Sequence, residues 1–152
     1  MEKNKLLKLV KKLREETGAG VVICKKALEE TKGNYTKAKE IVKKKGLAKA
    51  EEKTARATKE GYVATYTHAT GRVGVAVELL CETDFVSRNK DFQQFAKELC
   101  LQIAAMKPKT TAVLLKQDYI RDSSKKVSQL IKEMIAKFGE NIKIGKIARI
   151  EI

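Results

Sequence analysis

The run Val73-Gly-Val-Ala-Val-Glu-Leu-Leu80 is the most apolar stretch of this chain. Its length and β-branched content are those of a buried strand. It leads through Cys81-Glu-Thr-Asp-Phe-Val-Ser-Arg-Asn89 into Asp91–Ala105, where Phe92, Phe95, Leu99 and Ile103 fall on one helical face. Residues 81–89 are therefore a strand-to-helix connection, a place where a rigid scaffold presents side chains to a partner. Two readings of Asp84-Phe85 stay open at this level. Phe85 tucks into the core while Asp84 caps the following helix, or the pair faces outward and does the work of the loop.

The neighbours of this segment set the fold class. Tyr62-Val-Ala-Thr-Tyr-Thr-His68 alternates with a period of two, and Ala69-Thr-Gly71 offers a turn into the apolar run. The two stretches read as an antiparallel hairpin. Pro108 breaks the helix that follows, and residues 109–126 are weakly patterned. Val127, Leu130, Ile131, Met134, Ile135 and Phe138 then form a helical stripe of core residues. Ile142, Ile144, Ala148, Ile150 and Ile152 alternate as a closing strand able to pair with the hairpin, its apolar face interrupted by Lys146. Residues 61–152 thus predict an α+β domain, a three-stranded antiparallel sheet packed with helices.

Upstream of Gly61 the period is helical. Lys3–Glu16 carries Leu6, Leu9, Val10 and Leu13 at spacings of three and four. Thr17-Gly-Ala-Gly20 breaks that helix. Val21–Thr31 is a second helix with Val21, Cys24 and Leu28 on one side, and Lys32-Gly-Asn34 turns into a third, Tyr35–Lys45, stopped by Gly46. Residues 1–46 are then a small three-helix module with a slight core, stabilised by docking on something else. Leu47–Glu60 has good helix propensity and no wide apolar face, which suits a helical linker.

Composition narrows the function. A net charge of +14 attracts anionic partners: RNA, ribosomes or an acidic protein. With no Trp and 5% aromatic residues there are few platforms for stacking bases, so specific nucleic-acid reading is not expected. No apolar run approaches the roughly 20 residues of a membrane span, and the start of the chain has no signal-peptide core, so a cytoplasmic protein is expected. Cys24, Cys81 and Cys100 are widely spaced and read as reduced, buried thiols. His68 is the single histidine, which argues against a zinc site. There is no Gly-rich phosphate loop and no nucleophile–base pair, so neither an enzyme nor a cofactor is expected.

Four fragments, in order, resemble the elongation factor Ts family. Leu13-Arg-Glu-Glu-Thr-Gly-Ala-Gly20 with Cys24-Lys-Lys-Ala-Leu28 is similar to its N-terminal signature, and Lys45-Gly-Leu-Ala-Lys49 to the end of its third helix. Val73-Gly-Val-Ala-Val-Glu running into Cys81-Glu-Thr-Asp-Phe-Val86 is similar to its most distinctive motif, and Gly139-Glu-Asn-Ile142 to the approach to its last strand. The resemblance implies a guanine-nucleotide exchange factor that promotes GDP release from elongation factor Tu. Residues 1–46 would be a module like the ubiquitin-associated fold, docking on the partner's GTPase domain, GDP-bound or nucleotide-free, through Val21 and Val22. Thr83, Asp84, Phe85 and Val86 would be the loop that disturbs the nucleotide site and dislodges its magnesium ion, with Asp84 and Phe85 the principal residues.

Departures from the family pattern carry their own expectations. Val21 and Val22 stand where the family often has two methionines, and Ile23 where it usually has aspartate. The helical segment that relatives carry between the region of Ala104–Pro108 and that of Leu115–Asp122 is missing, and the core is present once. Short relatives compensate by dimerising, so a homodimer is expected, with a monomer lacking those contacts as the other outcome. The competing function is a basic RNA- or ribosome-binding protein using Lys11, Lys12 and Lys43-Lys-Lys45 on phosphates. An adaptor built on the helical module alone would leave residues 61–152 without a role.

Overall fold

The computed structural model describes residues 3–152. Three helices come first: α1 (Lys3–Thr17), α2 (Val21–Glu30) and α3 (Tyr35–Glu52). Gly18, at φ +68°, ends α1 with its N–H on the Arg14 carbonyl, a conformation that favours glycine. Between α2 and α3 the Gly33 N–H reaches the Leu28 carbonyl at 2.7 Å, and the Asn34 side chain caps α3 by accepting from the Lys37 N–H. The apolar spacing of α1 delivers Val10 and Leu13 to a small core with Cys24, Ala27, Leu28, Ala38 and Val42.

Gly46 does not stop the third helix. α3 continues to Glu52, and only the stretch from Lys53 to Lys59 is non-helical, so the expected helical linker is half helix and half irregular chain. The reason lies on α7 (Val127–Phe138): a Cβ at position 46 would stand 3.2 Å from the Ala136 Cβ. Glycine here lets two helices approach closely, and that packing outweighs the ~1 kcal/mol propensity cost of glycine inside a helix. One turn further on, Ala50 enters the second, larger core. A single helix therefore contributes to both hydrophobic clusters.

The rest of the chain is α+β. β1 (Glu60–Thr67) and β2 (Val73–Cys81) form the antiparallel hairpin, in register from Glu60 opposite Cys81 to Thr67 opposite Gly74. β5 (Lys143–Glu151) pairs antiparallel with the other edge of β2, giving the order β1-β2-β5. Val75, Val77, Leu79 and Cys81 alternate inward and α5 (Lys90–Met106) packs on them through Phe92, Phe95, Leu99 and Ile103. Phe138 of α7 meets Phe92 edge-on, ring centres 6.1 Å apart. The weakly patterned region resolves into α6 (Thr111–Lys116) and a small hairpin of β3 (Asp118–Tyr119) and β4 (Asp122–Lys126). Buried Gln102 supports that hairpin by accepting from the Ile120 N–H and donating to the Asp118 carbonyl.

The closing strand differs from its apolar alternation. Leu79 pairs with Ile144 but Val77 with Ile147, so β5 carries one extra residue there. Glu78 accepts from the Lys146 N–H at 2.7 Å, and a Cβ on Gly145 would lie 2.8 Å from the same carboxylate. This is a β-bulge built on glycine. Beyond it the faces exchange: Ile147 packs on the core, while Ala148 and Ile150 lie on the uncovered face of the sheet.

Candidate functional site

After Cys81 the chain enters a single helical turn, α4 (Asp84–Ser87), before α5 begins. The turn has one side in the core and one in solvent. Val86 is 8% exposed and belongs to the large core, whereas Phe85 is 85% exposed. The reading that tucks Phe85 inward is thus overturned. Successive residues of one turn point in different directions, and the short turn places Val86 against the core. Asp84 is not a cap either. The cap of α5 is Asn89, which accepts from the Asp91 N–H at 2.8 Å, while the Asp84 carboxylate pairs with Arg88 at 3.2 Å on the surface.

The base of the turn is fastened from a distant part of the sequence. Glu140, just past α7, accepts from the backbone N–H groups of Glu82 and Thr83 at 3.0 Å each and from the Thr83 hydroxyl at 2.5 Å. Thr83 stands at the N-cap of α4, yet its side chain makes no capping bond, and its hydroxyl instead donates to Glu140. In return the Glu82 carboxylate accepts from the Asn141 N–H at 2.7 Å and lies 3.6 Å from the Arg56 guanidinium. Asn141 is buried and donates its side-chain amide to the carbonyls of Thr54 and Arg56. Gly139, at φ +72°, ends α7 and turns the chain into this arrangement. Nothing in the local sequence of 81–89 announces these partners. The one signal is the Gly139-Glu-Asn-Ile142 fragment, whose role becomes visible only in three dimensions.

Cys81 at the root of the turn is fully buried, and burial, followed by the negative charge of Glu140, pushes its thiol up to about 11. Cys100, pushed up to about 11 by burial alone, and Cys24, raised by burial, are likewise free thiols. Groups held so firmly protonated are poor nucleophiles. His68 lies at the hairpin turn, where its Nδ1 is 3.0 Å from the Tyr66 hydroxyl. Among the described residues no three His, Cys, Asp or Glu side chains gather as a metal site.

The other expected contact residues sit on the helical module. Val21 and Val22 open α2 and are 49% and 65% exposed, an apolar pair without cover. Gly20 caps this helix without a side-chain bond, and Ile23 packs against the small core instead of offering a carboxylate to the helix start. The structure therefore brings Thr83–Val86 together on one turn and leaves Val21-Val22 on a separate element.

Comparisons with known proteins agree on one family. The sequence model described as Elongation factor TS matches residues 82–152, which include both the turn and its Glu140 fastening. Elongation factor Ts of Thermotoga neapolitana is 43% identical over 187 aligned positions covering 95% of each chain. That of Thermotoga maritima is 42% identical over 95% of this chain and 94% of its own. That of Coprothermobacter proteolyticus is 41% identical over 93% and 94%. The 187 aligned positions exceed the 152 residues present here, so this chain lacks segments that the relatives carry. With that identity spread over nearly its whole length, the chain belongs to the elongation factor Ts family and is a translation elongation factor.

Proposed function

We propose that this protein is a guanine-nucleotide exchange factor for elongation factor Tu and that the Thr83–Val86 turn is its working part. The observation that carries this reading is Phe85, a large ring left in water on a turn whose base is tied down. Leaving such a ring exposed forgoes about 2 kcal/mol of burial, which suggests that it is buried elsewhere, against a partner.

The physics of exchange requires no covalent step and no cofactor on this chain. A GTPase holds GDP through backbone donors and a lysine around the phosphates, with magnesium offsetting their charge. A ring driven in beside that site shifts the elements that carry those groups, and the ion is lost. Each 1.4 kcal/mol removed weakens nucleotide tenfold. The coupling is reciprocal, so incoming nucleotide loosens the factor by the same ratio. In this reading residues 1–46 dock on the GTPase domain through Val21 and Val22. Residues 47–60 connect, and residues 61–152 deliver the turn. The positive surface steers association with an acidic partner in the cytoplasm.

A second copy of the chain is the other partner in this proposal. The rungs Thr65–Ala76–Ala148 and Thr67–Gly74–Ile150 line the uncovered sheet face, with Ile150 72% exposed and no Lys or Arg among them. Two chains of charge +14 repel each other least at such a surface. Sedimentation of wild type against Ile150→Asp measures this: dimer lost in the variant is the expected result, and a monomeric wild type removes the homodimer.

The exchange reading is tested by loading elongation factor Tu with fluorescent GDP and following its release. Wild type is expected to accelerate release strongly and Phe85→Ala weakly. Failure of wild type to accelerate it ends the proposal.

A further inference from the structure

We propose that Glu140 is the positioning residue of the exchange turn: its carboxylate holds Glu82 and Thr83 so that Phe85 stands outward and is backed when it meets the partner. The inference rests on the exchange reading and adds to it a residue outside the loop.

The geometry carries it. Three donors from two consecutive residues converge on one carboxylate, at 3.0, 3.0 and 2.5 Å. Neither N–H joins a strand ladder, since β2 ends at Cys81 and α4 begins at Asp84. Glu140 is the protein partner of both. The reciprocal bond from the Asn141 N–H to Glu82 closes a box, so the two crossing segments hold each other by side chain onto backbone in both directions. Asn141 extends the box to Thr54 and Arg56, just beyond the end of α3. The turn that presents Phe85 is thereby referenced to the helix that runs into the helical module.

The consequence for exchange follows from entropy. Ordering one residue's backbone costs about 1–2 kcal/mol. A loose turn would meet that cost for each residue as the ring goes in, and the cost would subtract from the distortion imposed on the nucleotide site. A fastened turn has met it in folding. The ring then acts against a fixed support, and the effect appears in the maximum release rate rather than in the initial docking, which Val21 and Val22 provide in the same reading.

The test is a double-mutant cycle in the fluorescent-GDP assay, with wild type, Phe85→Ala, Glu140→Ala and the double variant measured over a range of factor concentrations. Glu140→Ala is expected to lower the maximum release rate about tenfold, the loss of hydrogen bonds to a charged group. Its half-saturating concentration is expected to stay within about twofold. In the Phe85→Ala background the same substitution is expected to change the maximum by less than about twofold, because Glu140 acts through the ring. Equal effects in both backgrounds overturn the proposal, as does a Glu140→Ala protein with the wild-type maximum. A wild type that fails to release GDP overturns the exchange reading itself, a different outcome. Glu140→Gln keeps an acceptor oxygen for the two N–H groups and is expected to recover part of the loss. It serves as the primary variant if Glu140→Ala does not fold. Independently of activity, amide hydrogen exchange at Glu82 and Thr83 is expected to quicken in either variant while β2 stays protected. Unchanged exchange at both amides removes the geometric basis.

Discussion

Phe85 and the Val21-Val22 pair are both exposed apolar groups in the first turn of a helix, but they are mounted differently. The turn under Phe85 has Val86 in the large core and its base on Glu140. The helix under Val21 and Val22 starts from Gly20 with no side-chain cap and rests on a core with seven buried members among the described residues. A surface that only docks needs apolar area, and a modest support is enough for that. A group that must distort its partner needs a support that does not yield. The two mounts match the tasks proposed for them, so substitutions at each should separate affinity from maximum rate.

The largest effect is expected from Leu13→Ala, which empties the centre of the small core where Leu13 is fully buried. Leucine-to-alanine changes in cores cost about 2–5 kcal/mol, and a core this small has little in reserve. The α-helical melt should lose cooperativity at low temperature while the sheet domain persists. In exchange, the half-saturating concentration should rise steeply with the maximum rate retained. A fall in the maximum alone would reverse the roles assigned to the two surfaces. Next comes Phe85→Ala, a hot-spot loss of about 2 kcal/mol, or about 30-fold in maximum release rate. Its melting temperature should equal that of wild type, since the ring contributes nothing to either core. Val21→Ala and Val22→Ala should each weaken half-saturation about fivefold, on the order of 1 kcal/mol for methyl groups buried only on docking, and leave the maximum intact.

Much of this arrangement was legible in the residues because it depends on local period. The alternation of Tyr62–His68 and the stripe Phe92, Phe95, Leu99 and Ile103 each report which face is buried, and both faces are where those patterns put them. What escaped depends on partners far along the chain. Gly46 looks like a helix stop until the fold sets it against α7, where an added Cβ would stand 3.2 Å from the Ala136 Cβ. Ile150 looks like a core residue until the Gly145 bulge, held by Glu78 across the sheet, exchanges the faces of β5. Phe85 was ambiguous for a related reason: a phenylalanine after a buried strand is ordinarily core, and only the one-turn helix shows that Val86 takes the inward position. Glu140 is the clearest case. The Gly139-Glu-Asn-Ile142 fragment marks the place, but the role of its carboxylate shows only when the fold sets it against Thr83.

The smallest effect on folding, and a sharp one for mechanism, is expected at Asp84. Its pair with Arg88 lies one helical turn apart on a surface where both side chains are well exposed, a contact contributing less than about 0.5 kcal/mol. Asp84→Asn should therefore leave the melting temperature unchanged. Two roles then give different patterns in exchange. If the carboxylate serves only to hold Arg88, then Asp84→Asn and Arg88→Gln should lower the rate equally, and the double variant should add nothing. If it meets the partner directly, Asp84→Asn should lower the rate several-fold while Arg88→Gln leaves it level or raises it, because the carboxylate is freed from its local pair. The second pattern is expected. The turn has its anchor in Glu140 and its inward contact in Val86, which leaves Asp84 available beside the ring. Its dependence on ionic strength supplies the check, since a direct charge contact at the rim of an interface weakens as salt rises.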